Sequence, residues 1–219
     1  MIYFYVNLEE NIMSEYVITI SRGFGSGGRT IGKLLAKKLD IDWFDNDLLK
    51  LASEESGINI ALFGKADEKV KANLFKKYNR SYGEKIISPD SAEFISTDNL
   101  FNYQAKIIRD LAERENCIII GRCADHILMN DKKAIKIFVC ADEKTSIKNV
   151  VDMYGIDEDD AKKKIEKIDK SRAAYYKYYT GKEWNDPVNY DICINTTTTG
   201  FEGAVEIILD YMRRKGINV

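Results

Sequence analysis

The sequence predicts an α/β fold, in which helices cover both faces of a parallel sheet. Two observations support this prediction: short apolar segments alternate with stretches of helical periodicity, and the first apolar segment runs directly into a glycine-rich loop. A chain of 219 residues is long enough for one sizeable α/β core. The segments predicted as strands are residues 16–21, 41–44, 117–120, 135–140 and 192–194.

Helices are predicted between these strands. After the first strand and its loop, apolar residues recur at helical spacing, and a closing helix after residue 200 has the same pattern. Residues 47–114 are mainly helical in pattern and more polar, and the highly charged segment 158–182 suits a mobile helical lid. In parallel sheets, ligands bind beyond the carboxyl ends of the strands. Ser21, Asp45, Gly121 and Asn195 lie at or just past those ends.

The glycine-rich loop is residues 23–30, Gly-Phe-Gly-Ser-Gly-Gly-Arg-Thr. It matches the phosphate-binding pattern G-x-x-x-x-G-K-[ST] except that Arg29 replaces lysine. Glycines allow successive backbone N–H groups to point inward, and the following helix adds its positive dipole end. The residues predicted to bind ATP phosphates are Gly23, Gly25, Ser26, Gly27, Gly28, Arg29 and Thr30, with the Thr30 hydroxyl also predicted to bind Mg²⁺.

Arg29 has two interpretations. A guanidinium is permanently charged and can clamp phosphate oxygens with two parallel hydrogen bonds, so it can supply the missing lysine charge. It can also pair with an acidic neighbour on the surface of the first helical turn.

Composition excludes several classes of function. The formal net charge of −2 is unlike that of an electrostatic nucleic-acid binder, and no apolar run is long enough to span a membrane. The four cysteines form no CxxC pair, which favours buried, reduced thiols in a cytoplasmic protein. Residues 1–12 precede the first convincing strand and are interpreted as a leader outside the fold. The sequence does not distinguish a monomer from an oligomer.

Four sequence blocks resemble the cytidylate kinase-like family of P-loop nucleoside monophosphate kinases. They cover nearly everything from residue 16 to the final helix, and arginine at position 29 is usual in this family. The resemblance implies a three-layer P-loop nucleotide-kinase fold with a five-stranded parallel sheet, a helical monophosphate-binding insertion at about 46–104 and a helical lid at about 155–183. The blocks are residues 18–29, 117–125, 171–176 and 184–191.

The resemblance also implies roles for individual residues. Arg122, in the Gly-Arg pair after the third strand, would grip the acceptor monophosphate, although an ion pair with Asp125 is an alternative. In the lid, Arg172 would stabilise the transferring phosphoryl group and Asp169 would orient it. Lys167 stands where the family has an arginine and could still neutralise charge, although residues 162–170 also read as a solvated helix face.

Other residues are left with open alternatives. Asp45 would hydrogen-bond the acceptor base or sugar, or would cap the helix that starts at Asn46. Cytidylate kinases carry an aspartate where this chain has Ile120, which leaves Asp125 as the candidate for a second metal ligand. The tyrosines at 175–179 and Trp184 are expected to pack against the core rather than stack on a base. His126 is expected to be structural.

The sequence thus predicts an enzyme that transfers the γ-phosphoryl group of ATP, with Mg²⁺, to a small nucleotide such as CMP or dCMP. Partners from the nucleic-acid and membrane classes are not expected. Two alternatives stay open: a P-loop kinase with another small acceptor, and a nucleotide-binding regulator with little turnover. Arg29 and Ile120 motivate the second alternative.

Overall fold

Five parallel strands form a single sheet in the order β2-β3-β1-β4-β5. The computed structural model describes residues 15–69, 82–83, 85–91 and 93–219. The predicted leader, residues 1–12, lies outside the described residues. All five predicted strands are confirmed, with bounds β1 Val17–Arg22, β2 Asp42–Phe44, β3 Cys117–Ile120, β4 Ala134–Cys140 and β5 Ile192–Asn195.

Eight α-helices connect and cover these strands in the described part of the chain. The alternation of strand and helix that the sequence predicts is therefore present. The helices are α1 Gly28–Leu39, α2 Asp47–Ser56, α3 Ile60–Lys69, α4 Thr97–Arg114, α5 Ala124–Ile127, α6 Glu143–Tyr154, α7 Glu158–Thr180 and α8 Thr196–Arg214.

The sheet separates two hydrophobic layers because side chains alternate along each strand. Ile18 and Ile20 of β1 point into a layer formed with α1 and α8, whereas Val17 belongs to the layer on the opposite face, with α2, α4 and α7. β3 divides its side chains in the same way and is fully buried. This burial on both faces explains why the central strands read as continuous apolar runs.

The segments predicted as insertion and lid are both helical. α2 and α3 lie in the predicted insertion, and α4 continues through residue 104 to Arg114, so that boundary falls inside a helix. α7 is one helix of 23 residues that makes up most of the predicted lid. The division into core, insertion and lid stays a prediction.

No disulfide joins the four cysteines, and only two of them are fully buried. Cys117 and Cys123 lie in the core, Cys140 is half-buried and Cys193 is exposed. The expectation of burial is wrong for Cys193, which lies on the edge strand β5 and points to the face opposite Ile194, the residue that packs in the layer with α8. Among the described residues, no helix is both long and apolar enough to cross a membrane.

Candidate active site

The glycine-rich loop connects the end of β1 to the first turn of α1. Gly25 and Gly27 have φ angles of 81° and 84°, in the left-handed region that favours glycine. A Cβ atom on Gly25 would lie 2.5 Å from the Ser146 carbonyl oxygen, and one on Gly28 would lie 2.5 Å from Cβ of Arg22. Gly27 is the N-cap of α1. The loop therefore carries its backbone into the space in front of a helix N-terminus, which is suited to anions.

Ser26 stabilises the glycine-rich loop from within. Its side chain is buried, and its hydroxyl donates to the carbonyl oxygen of Gly23 at 2.9 Å. Its backbone N–H donates to the same oxygen at 3.3 Å. These hydrogen bonds close the loop on itself, and Ser26 is not among the residues that line the cavity in front of the loop. Its part in phosphate binding stays a prediction.

A cavity of about 580 Å³ lies in front of the loop. We call this cavity the loop cavity. The other six predicted phosphate-binding residues line it, including Arg29 and Thr30. The end of α6 forms the opposite wall, where the Asn149 side-chain amide donates to the carbonyl oxygen of Gly25 at 2.7 Å. Phe24 stacks on Tyr154 with 5.9 Å between ring centroids.

A second cavity of about 270 Å³ lies beyond the carboxyl ends of β1, β2 and β3. We call it the strand-end cavity. Its lining includes the Gly121–Cys123 turn and, from α7, Arg172. The two cavities share four lining residues: Arg22, Asp45, Asn46 and Arg172.

Asp45 lies at this shared junction and pairs with two arginines. Its carboxylate oxygens are 3.4 Å from Arg22 Nη2 and 3.1 Å from Arg29 Nε. The helix-capping interpretation of Asp45 is not supported, since the N-cap of α2 is Asn46 and the Asp45 carboxylate faces the arginines. Of the two interpretations of Arg29, the structure shows the ion pair with an acidic neighbour, which is Asp45. The Arg29 side chain is 58% exposed and also lies over the Trp43 ring.

α7 is fastened to the loop by Asp169 and Arg172. The Asp169 carboxylate accepts from the backbone N–H of Phe24 at 2.8 Å and lies 3.3 Å from Arg172 Nη1. The same Arg172 nitrogen donates to the carbonyl oxygen of Arg22 at 3.0 Å. Burial raises the pKa of Asp169 and lowers that of Arg172, although their mutual attraction opposes both shifts. Lys167 is exposed and is not among the residues that line either cavity.

The Arg122 backbone is held in an unusual conformation. Gly121, Arg122 and Cys123 have φ angles of 75°, 58° and 55°, which places three consecutive residues in the left-handed region. This turn lets Arg122 line the strand-end cavity directly after a buried strand. Non-glycine residues with such angles cluster at functional sites.

Asp125 is buried beneath the strand-end cavity and is held by two hydroxyl groups. Ser21 Oγ donates to one carboxylate oxygen at 3.3 Å, and the Tyr176 hydroxyl donates to the other at 2.6 Å. Burial raises the pKa of Asp125 despite these hydrogen bonds. Because both oxygens already have donors, the geometry does not favour Asp125 as a second metal ligand. The described residues contain no cluster of three or more His, Cys, Asp or Glu side chains arranged for a metal ion.

The tyrosines of α7 are mainly packing residues. Tyr179 is 1% exposed and stacks on Phe101 at 3.7 Å between ring centroids, and Tyr175 and Tyr178 pack against the same core layer. Tyr175 also lines the strand-end cavity, together with Trp184. His126 is buried in the short helix α5 and is not among the residues that line either cavity.

Two residues at the site were given no role from the sequence. Arg22 lines both cavities, and its position as the last residue of β1 was the available signal. Asn149 supports the loop from α6, 124 residues away in sequence, and no sequence pattern marks it.

The chain is similar to known proteins over most of its length. The model of the cytidylate kinase-like family matches residues 17–198. A cytidylate kinase from Methanococcoides burtonii is 28% identical over 182 residues, which are 83% of this chain and 87% of that protein. A cytidylate kinase from Archaeoglobus fulgidus is 26% identical over 207 residues, covering 92% of this chain and 97% of that one.

Solved structures show the same fold. An uncharacterized protein from Eubacterium ventriosum has a TM-score of 0.68 and 28% identity, and the match covers 92% of this chain and 99% of that one. Shikimate kinase from Bacteroides thetaiotaomicron has a TM-score of 0.50 at 14% identity, covering 90% and 98%. The fold is therefore that of the P-loop kinases, and the chain belongs to the cytidylate kinase-like family.

Proposed function

We propose that the protein transfers the γ-phosphoryl group of ATP to a nucleoside monophosphate, with CMP or dCMP as the preferred acceptor. The observation that carries this proposal is the pair of cavities that meet at Arg22, Asp45, Asn46 and Arg172. A kinase needs a donor site and an acceptor site whose phosphates approach each other in line. The loop cavity suits the donor and the strand-end cavity suits the acceptor.

The donor phosphates would be held mainly by the backbone of residues 23–28 and the N-terminus of α1. The loop suits an anion because it ends at the N-terminus of α1, where backbone N–H groups lack partners within the helix, and because Gly25 and Gly28 let it pack closely against Ser146 and Arg22. Arg29 would add charge, and the hydroxyl of Thr30, which lines the same cavity, would hold Mg²⁺. When bound, Mg²⁺ would neutralise charge on the phosphates.

The acceptor phosphate would be held by Arg122, and Arg172 would stabilise the negative charge of the migrating group. Both side chains line the strand-end cavity, and Arg172 also reaches the loop cavity. A guanidinium matches phosphate geometry with two parallel hydrogen bonds. The reaction needs no strong general base, since the acceptor phosphate is already an anionic nucleophile.

The preference for a cytidine nucleotide is supported by the family and by the cytidylate kinases that resemble the chain over most of its length. The decisive experiment is an acceptor screen with ATP, Mg²⁺ and CMP, dCMP, UMP or AMP, in which the diphosphate product is measured directly. We expect turnover with CMP or dCMP to exceed that with AMP at least tenfold. ATP binding without turnover of any monophosphate would refute the proposal.

Arg122→Ala is expected to raise the acceptor KM by at least tenfold and to lower kcat no more than it raises KM, because the acceptor phosphate loses a charged partner. The KM for ATP should change less than threefold. Arg213→Ala is the matched control, since Arg213 lies near the end of α8 and pairs with Asp210. An acceptor KM unchanged in Arg122→Ala would remove Arg122 from the monophosphate site.

A further inference from the structure

Arg22 is the arginine most enclosed by the junction of the two cavities. Its side chain is 18% exposed, compared with 58% for Arg29. Two glycines make room for it, since a Cβ on Gly28 would meet Cβ of Arg22 and a Cβ on Gly121 would overlap its guanidinium. The local backbone therefore accommodates a large charged side chain in a confined position.

This guanidinium is poorly satisfied by the protein alone. An arginine has five N–H donors, yet in the described part of the chain the Arg22 side chain makes one hydrogen bond, to Asp45 at 3.4 Å. A buried charged group that lacks partners is costly. Unused donors of a guanidinium that faces both cavities indicate an anionic ligand at the junction.

The charges around Arg22 favour the same conclusion. Burial, Arg172, Arg122 and Arg29 lower the pKa of Arg22, Asp45 raises it, and the result is about 9. The group therefore stays protonated near neutral pH. Among the lining residues that the two cavities share, only Asp45 carries a negative charge. An incoming phosphate would therefore relieve the repulsion between these arginines.

We propose that Arg22 is a catalytic residue that contacts the migrating phosphoryl group and takes the place of the missing loop lysine. This inference rests on the function proposed above. During transfer, an oxygen of the acceptor phosphate forms a bond to the γ-phosphorus. The bond from that phosphorus to the bridging oxygen breaks, and its electron pair stays on the β-phosphate of ADP. Arg22 keeps its proton and stabilises the equatorial oxygens.

Arg29 is less suited to this task. It is mostly exposed, lies 5.7 Å from the Trp43 ring centroid and is held at 3.1 Å by Asp45. Electrostatic stabilisation is stronger where water is excluded, which favours the enclosed Arg22. We infer that Arg29 and Asp45 position Arg22, and that Arg22 contacts the reacting atoms.

The test compares Arg22→Met, Arg22→Lys and Arg29→Met with Arg213→Met as the surface control. Removing an arginine that acts on the transition state typically costs about 10³-fold or more in kcat. We expect Arg22→Met to lower kcat about 10³-fold, Arg22→Lys about 30-fold and Arg29→Met less than Arg22→Lys. The Kd for ATP, measured by calorimetry, should change less than fivefold in each variant.

Circular dichroism and ATP binding report whether each variant is folded, and Arg22→Lys provides the kcat comparison if Arg22→Met does not fold. A kcat for Arg22→Met or Arg22→Lys within threefold of the wild type would overturn the catalytic role and leave the proposed function intact. A wild type that binds ATP but phosphorylates no monophosphate would instead overturn the proposed function and this inference with it.

Discussion

Replacing Tyr176 with phenylalanine removes one hydroxyl group from a buried carboxyl and leaves the ring in place. Asp125 is 2% exposed, and its shorter hydrogen bond is the one from Tyr176, at 2.6 Å. The remaining donor, Ser21 Oγ, is 3.3 Å away. After the substitution, one carboxylate oxygen of Asp125 loses this donor in a buried environment.

The expected loss follows from the charge of that carboxyl. A hydrogen bond to a charged group contributes about 1.5–3 kcal/mol, and one between neutral groups about 1 kcal/mol. We therefore expect Tyr176→Phe to lower the free energy of unfolding by about 2 kcal/mol near pH 8. In a protein of this length, such a loss lowers Tm by about 4–8 °C.

The loss should depend on pH in a defined direction. Burial already holds the pKa of Asp125 above the ordinary aspartate value of 3.8 in the folded protein. Above pH 3.8 the folded state thus holds more protons than the unfolded state, so this group's contribution to stability falls as pH rises through the folded pKa. Tyr176→Phe raises the folded pKa further, because the hydroxyl favours the charged form. Destabilisation should therefore be smallest near pH 4 and should grow toward pH 8.

Urea unfolding of the wild type and Tyr176→Phe between pH 4 and pH 8 measures this difference. Tyr179→Phe is the matched control, since Tyr179 lies in the same helix and its hydroxyl donates to the backbone carbonyl of Thr97 at 3.3 Å. Its effect should not vary with pH. Equal losses at pH 4 and pH 8 for Tyr176→Phe would refute the reasoning that the Tyr176 hydroxyl stabilises the charged form of Asp125 within this pH range.

Two further predictions concern stability. Gly27→Ala should lower the free energy of unfolding by more than about 2 kcal/mol, since Gly27 has a φ of 84° and a Cβ there would overlap Phe201. At Gly64 in α3 a Cβ would meet nothing within 4 Å, so Gly64→Ala should raise the free energy of unfolding by about 0.5–1 kcal/mol. Thermal unfolding measures both variants, and equal Tm shifts would contradict these opposite expectations. Asp169→Ala should lower the free energy of unfolding by about 1–2 kcal/mol, because the Phe24 N–H loses its acceptor. Asp169→Asn should lower it less, since an amide oxygen can still accept. Equal urea midpoints for the two variants would argue against that hydrogen bond.

The sequence predicted the backbone architecture better than the side-chain pairing at the site. The strands and the helix after the loop could be predicted because their apolar periodicity is local, and the glycines at 25 and 27 because a tight loop requires them. Cys193 was missed because an edge strand and a central strand look alike when only a few residues long.

Pairings between distant segments left no local pattern. Asp45 meets Arg22 and Arg29, and Ser21 meets Asp125, 104 residues away, only after the strands align. Ser26 matched the phosphate-loop pattern by position, yet the closure of the loop uses its hydroxyl. Sequence therefore indicated which segments meet at the carboxyl edge of the sheet, but not which donors there are already occupied.

The left-handed turn at Arg122 and Cys123 has a consequence for engineering this protein. Each non-glycine residue in that conformation costs about 1–2 kcal/mol, and total stabilities of natural domains are about 5–15 kcal/mol. A search for thermally stable variants should therefore select glycine or asparagine at these two positions. At position 122 such a gain would remove the guanidinium that lines the strand-end cavity. If Arg122 grips the acceptor phosphate as proposed, a substitution that raises thermal stability there would weaken acceptor binding.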